Sequence, residues 1–276
     1  PSVNYDDDPE YIDRFLHEEW AGHRVTNQHV LQVLKPHTQR QCLYYVTEYI
    51  EGQTLRGWMN DNPLPPLEDV RNIVQQIAAG LRAFHRQEML YQDLRPNNIM
   101  IDKTGTVKII DFGATQVAGL KEITSPLSQQ HILGTAQYTA PEYFIGETGT
   151  TRSDMFSLGV IAYQMLSGRL PYGAQVARAQ TKSAQRKLNY QTVQDDDRTI
   201  PTWIDESIKN AVHPDPNKRY GEISEFIYDL RHPNKTFLNR ARPPLMERSP
   251  VLFWKGVSFV LFLVVVFLLC TYPGIN

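Results

Sequence analysis

The sequence predicts an α+β fold, in which a small part containing strands precedes a larger, mainly helical part and one C-terminal membrane-spanning helix. Residues 30–34 and 42–50 are rich in β-branched and aromatic side chains on either side of a polar loop, which is typical of paired strands. Apolar residues recur at helical spacing through residues 70–81, and residues 153–167 are apolar nearly all round. The 276 residues are enough to bury a sizeable core.

Charge and cysteine content exclude several classes of protein. The 28 basic residues nearly balance the 30 acidic residues, so we expect no nucleic-acid partner. Cys42 and Cys270 are the two cysteines, too few for a disulfide framework or a cysteine-based zinc site. The residues that follow Pro1 do not resemble a signal peptide. Together these features favour a protein of a reducing compartment.

The N-terminal elements are a helix, two strands and two further helices. Three aspartates before Pro9 predict a capped helix that runs to about His23. The polar loop at residues 35–41 separates the two predicted strands. A short helix begins near Thr54, and a proline-rich break at residues 62–66 separates it from the long amphipathic helix.

Residues 91–113, which spell YQDLRPNNIMIDKTGTVKIIDFG, contain three side chains suited to holding a cation or a proton. Asn98 follows Asp93 by five residues, and Asp111 follows Asn98 by thirteen. Two short apolar runs around a turn at residues 103–105 predict a hairpin. Such a hairpin brings the Asn98 amide oxygen beside the Asp111 carboxylate, and oxygen ligands of this kind suit a hard divalent cation.

The second half of the chain is predicted to be helical after one long irregular stretch. Residues 114–141 show no period, and a loop of that length suggests a function. A buried helix over residues 153–167 ends at Gly168. Residues 204–212 and 222–230 predict two further helices.

A basic helical stripe is predicted over residues 175–189. Arg178, Lys182 and Arg186 recur there every four residues, which places them on one helix face. The stripe is either a solvated face or a contact surface for acidic partners or lipid headgroups.

The C-terminal segment predicts a membrane anchor. Residues 256–272 form a run of 17 residues without a charge, about 25 Å long as a helix at about 1.5 Å per residue. Residues 251–254 and a snorkelling Lys255 extend it to the bilayer core of about 30 Å, whereas the alternative is a buried core helix. Basic residues precede the run and none follows, which predicts a single-pass tail anchor in the inner (cytoplasmic) membrane with the main body in the cytoplasm. These basic residues are Arg240, Arg242, Arg248 and Lys255.

Five blocks follow one another along the chain, at residues 91–98, 111–113, 134–142, 154–159 and 214–220. In order and spacing they resemble the catalytic-loop, DFG, APE and later motifs of the eukaryotic-type protein kinases. The resemblance implies a protein-kinase-like α+β fold with an incomplete N-lobe and a mainly helical C-lobe. It implies an N-lobe portion at 1–50 and the C-lobe at 51–232. The Pro- and Arg-containing segment at 233–250 is a predicted linker to the transmembrane helix predicted at 251–272.

The resemblance also assigns roles to the catalytic residues. Asp93 matches the Asp that accepts or orients the proton of the substrate hydroxyl, while Asn98 and Asp111 match the ligands of Mg²⁺, for which Mn²⁺ is a possible substitute. Arg95 stands where Ser/Thr kinases usually carry Lys, and its guanidinium is expected to hold the γ-phosphate of ATP as a planar fork. The Leu-Arg-Pro-Asn-Asn order at residues 94–98 and the Gly134-Thr135 block resemble the Ser/Thr class rather than the tyrosine class, so protein Ser/Thr hydroxyls are the expected acceptors.

For the nucleotide, the resemblance implies contacts from the N-terminal part. Residues 45–50 are similar to the strand that leads into the kinase hinge, so the main chain from Glu48 to Ile50 is expected to meet the adenine, and Glu51 the ribose. Glu18, with Glu19 as the next choice, occupies the place of the helix-C Glu that clamps the ATP-contacting Lys.

The sequence departs from the family pattern just before the catalytic Asp. Tyr91 and Gln92 replace the usual His-Arg pair, so no cation is present there to receive a phosphate on the activation segment, and activity is expected to depend less on loop phosphorylation. Glu142 is expected to form a structural ion pair with Arg219, and Asp154 to cap the catalytic-loop backbone. The loop residues Thr124, Ser125 and Ser128 are either modification sites or ordinary polar loop residues.

The sequence contains neither the Gly-rich loop nor the ATP-contacting Lys of the family, so we expect this chain alone to bind ATP poorly. Truncation of a whole kinase is favoured over natural degeneration, because Asp93, Asn98, Asp111 and Glu18 are all present. Nearly the whole chain resembles bacterial membrane-anchored Ser/Thr kinases that carry a PP2C-type phosphatase domain N-terminal to the kinase. Two alternatives remain: a pseudokinase scaffold at the membrane and a small-molecule phosphotransferase of related fold.

Overall fold

The computed structural model describes residues 9–36, 42–117, 136–194, 200–234, 237 and 250–271. It divides into two compact units, the first ending at Pro233 and the second beginning at Asn234. The helices are α1 (Pro9–Arg24), α2 (Leu55–Asp61), α3 (Leu67–Arg86), α4 (Thr151–Ser167), α5 (Lys182–Gln185), α6 (Thr202–Ala211), α7 (Ile223–Arg231) and α8 (Pro250–Thr271). The strands are β1 (Val33–Leu34), β2 (Val46–Thr47), β3 (Gly52–Thr54), β4 (Met89–Leu90), β5 (Ile99–Asp102), β6 (Val107–Ile109) and β7 (Gln116–Val117).

The predicted N-terminal strands pair, but over a shorter length than the sequence pattern indicates. β1 and β2 run antiparallel, with Val33 opposite Thr47. Val30 does not extend β1; instead it forms a parallel bridge to Ile109 of β6. The reason is that this segment leaves β2 to dock on β6, where the N–H of Leu31 donates to the carbonyl of Ile109 at 2.9 Å.

The predicted hairpin around residues 103–105 is confirmed as β5 and β6. Ile99 lies opposite Ile109, and β3 adds a third antiparallel strand with Gly52 opposite Asp102. Its turn is held by the Asp102 carboxylate, which accepts from the N–H groups of Thr104 and Thr106 at 2.8 and 2.9 Å. The Thr104 hydroxyl also donates to this carboxylate, at 2.6 Å, and this contact, followed by the two N–H groups, lowers the pKa of Asp102 from its ordinary value.

The helical core is organised around α4, as its uniform apolar sequence predicts. Its apolar side chains are at most 1% exposed, and it packs against α3 and α6. Thr150 caps its start through a reciprocal contact with Ser153, and Gly168 ends it with a φ of 67°, a left-handed conformation that favours glycine. α3 buries the predicted stripe from Val70 to Leu81.

The predicted basic helix over residues 175–189 is wrong. The segment contains a 3₁₀ turn (Val176–Arg178) and the one-turn helix α5 instead. The Gln185 side chain is buried and donates to the carbonyls of Pro141 and Ala179 at 2.6 and 3.2 Å, which folds the segment back on itself. Arg178 lies in the 3₁₀ turn and Lys182 in α5, so the basic residues do not share the face of one helix. Lys182 forms a 2.6 Å ion pair with Glu147.

In the second unit, α8 carries exposed apolar side chains from Trp254 to Leu268. Among the residues that the structure describes, no helix is both long enough and apolar enough to cross a membrane, which takes about 20 apolar residues. The transmembrane helix predicted at 251–272 is therefore not found in the described part of the chain.

Candidate active site

The catalytic loop holds Asp93, Arg95 and Asn98 in one cluster. The Asn98 amide nitrogen donates to Asp93 Oδ2 at 2.8 Å and to the Asp93 carbonyl at 3.1 Å. Arg95 Nε lies 3.4 Å from Asp93 Oδ2 and 3.3 Å from Asn98 Oδ1. A 3₁₀ turn (Pro96–Asn98) folds the loop back on itself to make these contacts. The Asp93 carboxylate is therefore held in one orientation by an amide and a guanidinium.

The hairpin brings Asn98 to the same end as Asp111. The N–H of Ile110 donates to the Asn98 carbonyl at 2.9 Å, and Asp111 is the next residue. Asp111 has a φ of 66°, which turns the chain sharply as it leaves β6, and its Oδ1 accepts from the N–H of Gly113 at 3.2 Å. The register of the hairpin therefore places Asn98 and Asp111 at the same end. A cation shared by the Asn98 amide and the Asp111 carboxylate stays a prediction.

These residues suit Mg²⁺ only in combination with phosphate oxygens. Within the described ranges, no group of three or more His, Cys, Asp or Glu residues is arranged to hold a metal ion. Mg²⁺ is commonly bound by one or two protein oxygens together with phosphates and water, which is the donor set that Asn98 and Asp111 provide. Asn98 Oδ1 faces Arg95, so a cation there has to displace that contact.

The prediction that Asp154 caps the backbone of the catalytic loop is confirmed. Its two carboxylate oxygens accept from the N–H groups of Tyr91 and Gln92 at 3.0 and 2.9 Å. His85, at the end of α3, adds a 2.8 Å contact that the sequence did not predict. The buried α4 therefore fixes the backbone that carries Asp93.

Tyr91 links the catalytic loop to the segment that carries Asp111. Its hydroxyl lies 2.5 Å from the carbonyl of Ile110 and 2.7 Å from that of Asp111. Burial, followed by the charge of Asp111, raises the pKa of Tyr91 well above its ordinary value, so the phenol stays a hydrogen-bond donor. Gln92 is joined to β7, because its amide nitrogen donates to Gln116 Oε1 at 2.8 Å.

Glu18 reaches the Asp111 segment from α1. Its Oε1 accepts from the N–H of Phe112 at 3.4 Å, and its carboxylate also hydrogen-bonds Tyr45. Gly22 permits the close approach of α1 to Phe112, because a Cβ at this position would lie 3.0 Å from the Phe112 ring and 2.2 Å from the Val33 side chain. Burial, the largest cause, raises the pKa of Glu18, and the nearby Asp111 charge raises it further.

The fold and the site geometry match a known family. A family model described as "Protein kinase domain" matches residues 3–230, which is most of the chain. The chain belongs to the protein kinase family.

Curated relatives among bacterial protein kinases agree with this assignment. The chain is 29% identical to the serine/threonine-protein kinase PrkC of Bacillus subtilis over 83% of this chain and 35% of the relative. It is 29% identical to the probable serine/threonine-protein kinase PknB of Bifidobacterium longum, over 87% of this chain and 35% of the relative. The chain is 30% identical to the serine/threonine-protein kinase PknL of Mycobacterium bovis, over 83% of this chain and 56% of the relative. The chain thus spans between about a third and just over half the length of these three kinases.

The segment predicted to be the kinase hinge is fastened through the Glu48 side chain. Both carboxylate oxygens accept from Lys108 Nζ at 2.6 and 2.7 Å, and Oε1 also accepts from the N–H of Gln32 at 2.8 Å. The Glu48 carbonyl and the Ile50 N–H, by contrast, form no hydrogen bond to another residue in the described part of the chain. One acceptor and one donor along an extended segment suit the edge of an adenine ring.

Glu51 lies next to the turn of the β5–β6 hairpin. Its carboxylate forms an ion pair with Lys103, and the Glu51 side chain is 65% exposed. An exposed pair of this kind contributes only about 0–1 kcal/mol, so it does not prevent Glu51 from taking another partner. Its contact with the ribose stays a prediction.

The predicted Glu142–Arg219 ion pair of the kinase C-lobe is confirmed. The guanidinium binds both carboxylate oxygens, at 2.8 and 2.7 Å, and the two residues are 3% and 5% exposed. Ser153 donates to Glu142 at 2.7 Å, and Arg219 also donates to the carbonyls of His213 and Arg152. The pair ties the end of the activation segment to the helical core.

Three partners of the site had no recognisable sequence signal. His85 contacts Asp154, Tyr45 contacts Glu18, and Lys108 contacts Glu48. Lys108 lies between buried Val107 and Ile109, and this alternation indicates only that it faces away from the core.

Several predicted features of the activation segment lie outside the described residues. These are the possible modification sites Thr124, Ser125 and Ser128, and the first two residues of the block at 134–142.

A first prediction concerns Glu18 and pH. Glu18→Gln is expected to raise the thermal unfolding midpoint near neutral pH. The pKa of Glu18 is raised above its ordinary value of 4.5 by burial, so the unfolded chain releases this proton at lower pH than the folded chain does. Stability therefore falls as pH rises through the raised pKa, and Gln avoids this loss because it cannot ionise.

Thermal unfolding midpoints of the parent and of Glu18→Gln, measured from about pH 4 to about pH 8, check this expectation. The midpoints of the two proteins should converge at the acidic end, where Glu18 is protonated in both states. Glu225→Gln, at an exposed position of α7, is the matched control and leaves the profile unchanged. A Glu18→Gln profile that runs parallel to the parent at all pH values contradicts the expectation.

Proposed function

We propose that this chain is the phosphotransfer part of a bacterial Ser/Thr protein kinase, which moves the γ-phosphoryl group of ATP to a Ser or Thr hydroxyl of a protein. The observation that carries the proposal is the Asp93 carboxylate, held by Asn98 and Arg95 at the end of the hairpin that bears Asp111. The relatives' names, serine/threonine-protein kinases, support the choice of acceptor.

The chemistry assigns one task to each residue. The acceptor hydroxyl oxygen attacks the γ-phosphorus, the bond between that phosphorus and the oxygen of ADP breaks, and Asp93 accepts the hydroxyl proton. Arg95 Nε is 3.4 Å from Asp93 Oδ2, which suits the guanidinium to hold a γ-phosphate oxygen beside the reacting hydroxyl. Asn98 and Asp111 would hold Mg²⁺ or Mn²⁺, which supplies neutralisation of the phosphate charge.

The hinge groups support a nucleotide as phosphate donor. The Glu48 carbonyl and the Ile50 N–H match the donor and acceptor of an adenine edge, and Tyr49 between them is 89% exposed. Glu18 lies next to Phe112 and close to Asp111, where a cation would offset the cost of its buried charge.

Transfer of the ³²P-labelled γ-phosphate of ATP to a protein substrate by the natural full-length protein tests the proposal. Transfer that needs Mg²⁺ or Mn²⁺ supports it. Nucleotide binding without transfer points to a pseudokinase scaffold, and labelling of an aminoglycoside or choline in place of protein points to a small-molecule phosphotransferase. Either of those results overturns the proposal.

The location at the inner membrane stays a prediction, supported by the uncharged residues 256–272 and the basic residues before them. The full-length protein is expected in the membrane fraction of the cell, and a version that ends at Arg248 in the soluble fraction. Immunoblots of the two fractions check this. Equal partition of both forms contradicts the anchor.

Three further expectations also stay predictions: an upstream Gly-rich loop with its Lys, a PP2C-type phosphatase domain in the same protein, and weak activity of the 276 residues alone. The coding sequence upstream of Pro1 tests the first two. Assays of the long and short forms side by side test the third.

A further inference from the structure

Arg56 lies beside the catalytic loop. It is the second residue of α2, a helix that follows β3 directly and packs against the 3₁₀ turn (Pro96–Asn98) of the loop. Thr54 caps the helix by accepting from the N–H of Gly57 at 3.2 Å. The start of α2 is therefore anchored next to the residues proposed to carry out phosphotransfer.

A buried phenol orients the Arg56 guanidinium. Arg56 Nη2 donates to the Tyr138 hydroxyl at 2.6 Å, and that hydroxyl donates to Gln164 Oε1 on α4, also at 2.6 Å. Tyr138 is 2% exposed, and its carbonyl accepts from Ser157 at 2.7 Å. Because both ends of Tyr138 are bound to α4, the guanidinium is held in place before any ligand arrives.

Arg56 retains its charge and most of its donors. Within the described residues, its one hydrogen bond is to Tyr138, and no carboxylate lies within ion-pair distance of it. A guanidinium has five N–H donors, so four remain. Arg56 is also half-buried, which strengthens its interaction with an anion relative to an exposed arginine.

The surroundings of Arg56 are neutral or positive. Gln164 supplies an amide, and Tyr138 stays protonated because burial raises the pKa of its phenol. Arg95 is close enough for its charge to oppose that shift, as the Arg56 charge does. Arg95 itself has Asp93 as a partner, whereas Arg56 forms no ion pair with a carboxylate of the residues that the structure describes. The cluster of Arg56, Tyr138 and Gln164 therefore suits a negative side chain and repels a positive one.

We propose that Arg56 determines substrate specificity by binding an anionic side chain of the protein substrate, close in sequence to the accepting Ser or Thr. The proposal rests on the proposed kinase function. Carboxylates and phosphorylated side chains share the required chemistry, since both offer two or more oxygens to the fork of a guanidinium. Gln164 adds to the selectivity for anionic side chains because its amide is neutral. A Glu at this position would offer a partner to a basic side chain of the substrate instead.

Peptide phosphorylation by the natural full-length protein tests this. One Thr peptide is made with Ala, Glu, phosphoserine or Lys at each position from three before to three after the acceptor. We expect kcat/KM to be about tenfold higher for Glu than for Lys at one or two of these positions, the size typical of one charge-assisted contact. The phosphoserine peptides show whether a phosphate is preferred to a carboxylate.

Two variants and one control sharpen the test. Arg56→Gln is expected to remove the preference for Glu, and Gln164→Glu, which is nearly isosteric, to shift it towards Lys. Arg82→Gln, at an exposed position of α3, keeps the parent's preference. Equal kcat/KM for the Glu, Ala and Lys peptides overturns the inference, as does an unchanged preference in Gln164→Glu.

A failure of the proposed function gives a different result. If no peptide is phosphorylated, fluorescence anisotropy measures peptide binding directly. Tighter binding of Glu or phosphoserine peptides than of Lys peptides, lost in Arg56→Gln, supports the inference without any catalysis. Equal affinities overturn it.

Discussion

Asp93→Asn is expected to lower phosphotransfer by about 10²- to 10⁴-fold, the usual contribution of a general base. The substituted amide still accepts a hydrogen bond from the Asn98 side chain, which in the parent donates to Asp93 Oδ2 at 2.8 Å. It cannot take up the proton of the attacking hydroxyl. The fold and nucleotide affinity should therefore be preserved while the rate falls, which single-turnover assays and ATP-binding measurements separate.

Asp61→Asn, at an exposed position at the end of α2, is the matched control for the loss of one negative charge. Its rate should equal that of the parent. Transfer by Asp93→Asn at the parent's rate excludes Asp93 as the base and favours a role in positioning alone. A drop in the unfolding midpoint that accounts for the lost rate contradicts the expectation of an intact fold.

The second large effect is on stability. Arg219→Met is expected to lower the free energy of unfolding by about 3–5 kcal/mol, because it leaves the Glu142 carboxylate buried without its cation. Glu142 is 3% exposed, and among the described residues the Ser153 hydroxyl is the one side-chain partner that it keeps. The carbonyls of His213 and Arg152 also lose a donor, which adds to the cost.

Urea unfolding measures this difference. Lys209→Ala provides the comparison, since the Lys209–Glu206 pair is 3.1 Å long but has 49% of the Lys209 side chain exposed. An exposed pair of this type contributes about 0–1 kcal/mol. A loss below about 1 kcal/mol in Arg219→Met means that water reaches Glu142, and the ion pair is then not the support of the activation segment.

Elements with a regular period were predictable from the sequence. The stripe in α3 and the uniformly apolar α4 follow from helical spacing, and the β5–β6 hairpin follows from two apolar runs around a turn. The segment 175–189 was predicted wrongly for an equally local reason. Its basic residues recur every four positions, but buried Gln185 binds the Pro141 carbonyl, and a helical pattern contains no information about that partner.

The predicted β1 and β2 strands were too long because propensity does not specify a partner. Residues 30–34 are β-rich, yet Val30 bridges to Ile109 while Val33 pairs with Thr47. The sequence indicated an extended segment. That segment forms two short pairings in place of one long strand, because its first part contacts β6 and its second part contacts β2.

The sequence by itself determined the order of the kinase blocks and the local part of the site. Asp93, Asn98 and Asp111 are connected by one loop and one hairpin, and the turn of that hairpin is predictable from residues 103–105. Only the tertiary structure decided which distant groups surround them. His85 meets Asp154 across 69 residues, and Arg56 meets Tyr138 across 82. Such pairs depend on how helices pack, and packing is set by the shapes of whole faces, for which no short pattern exists.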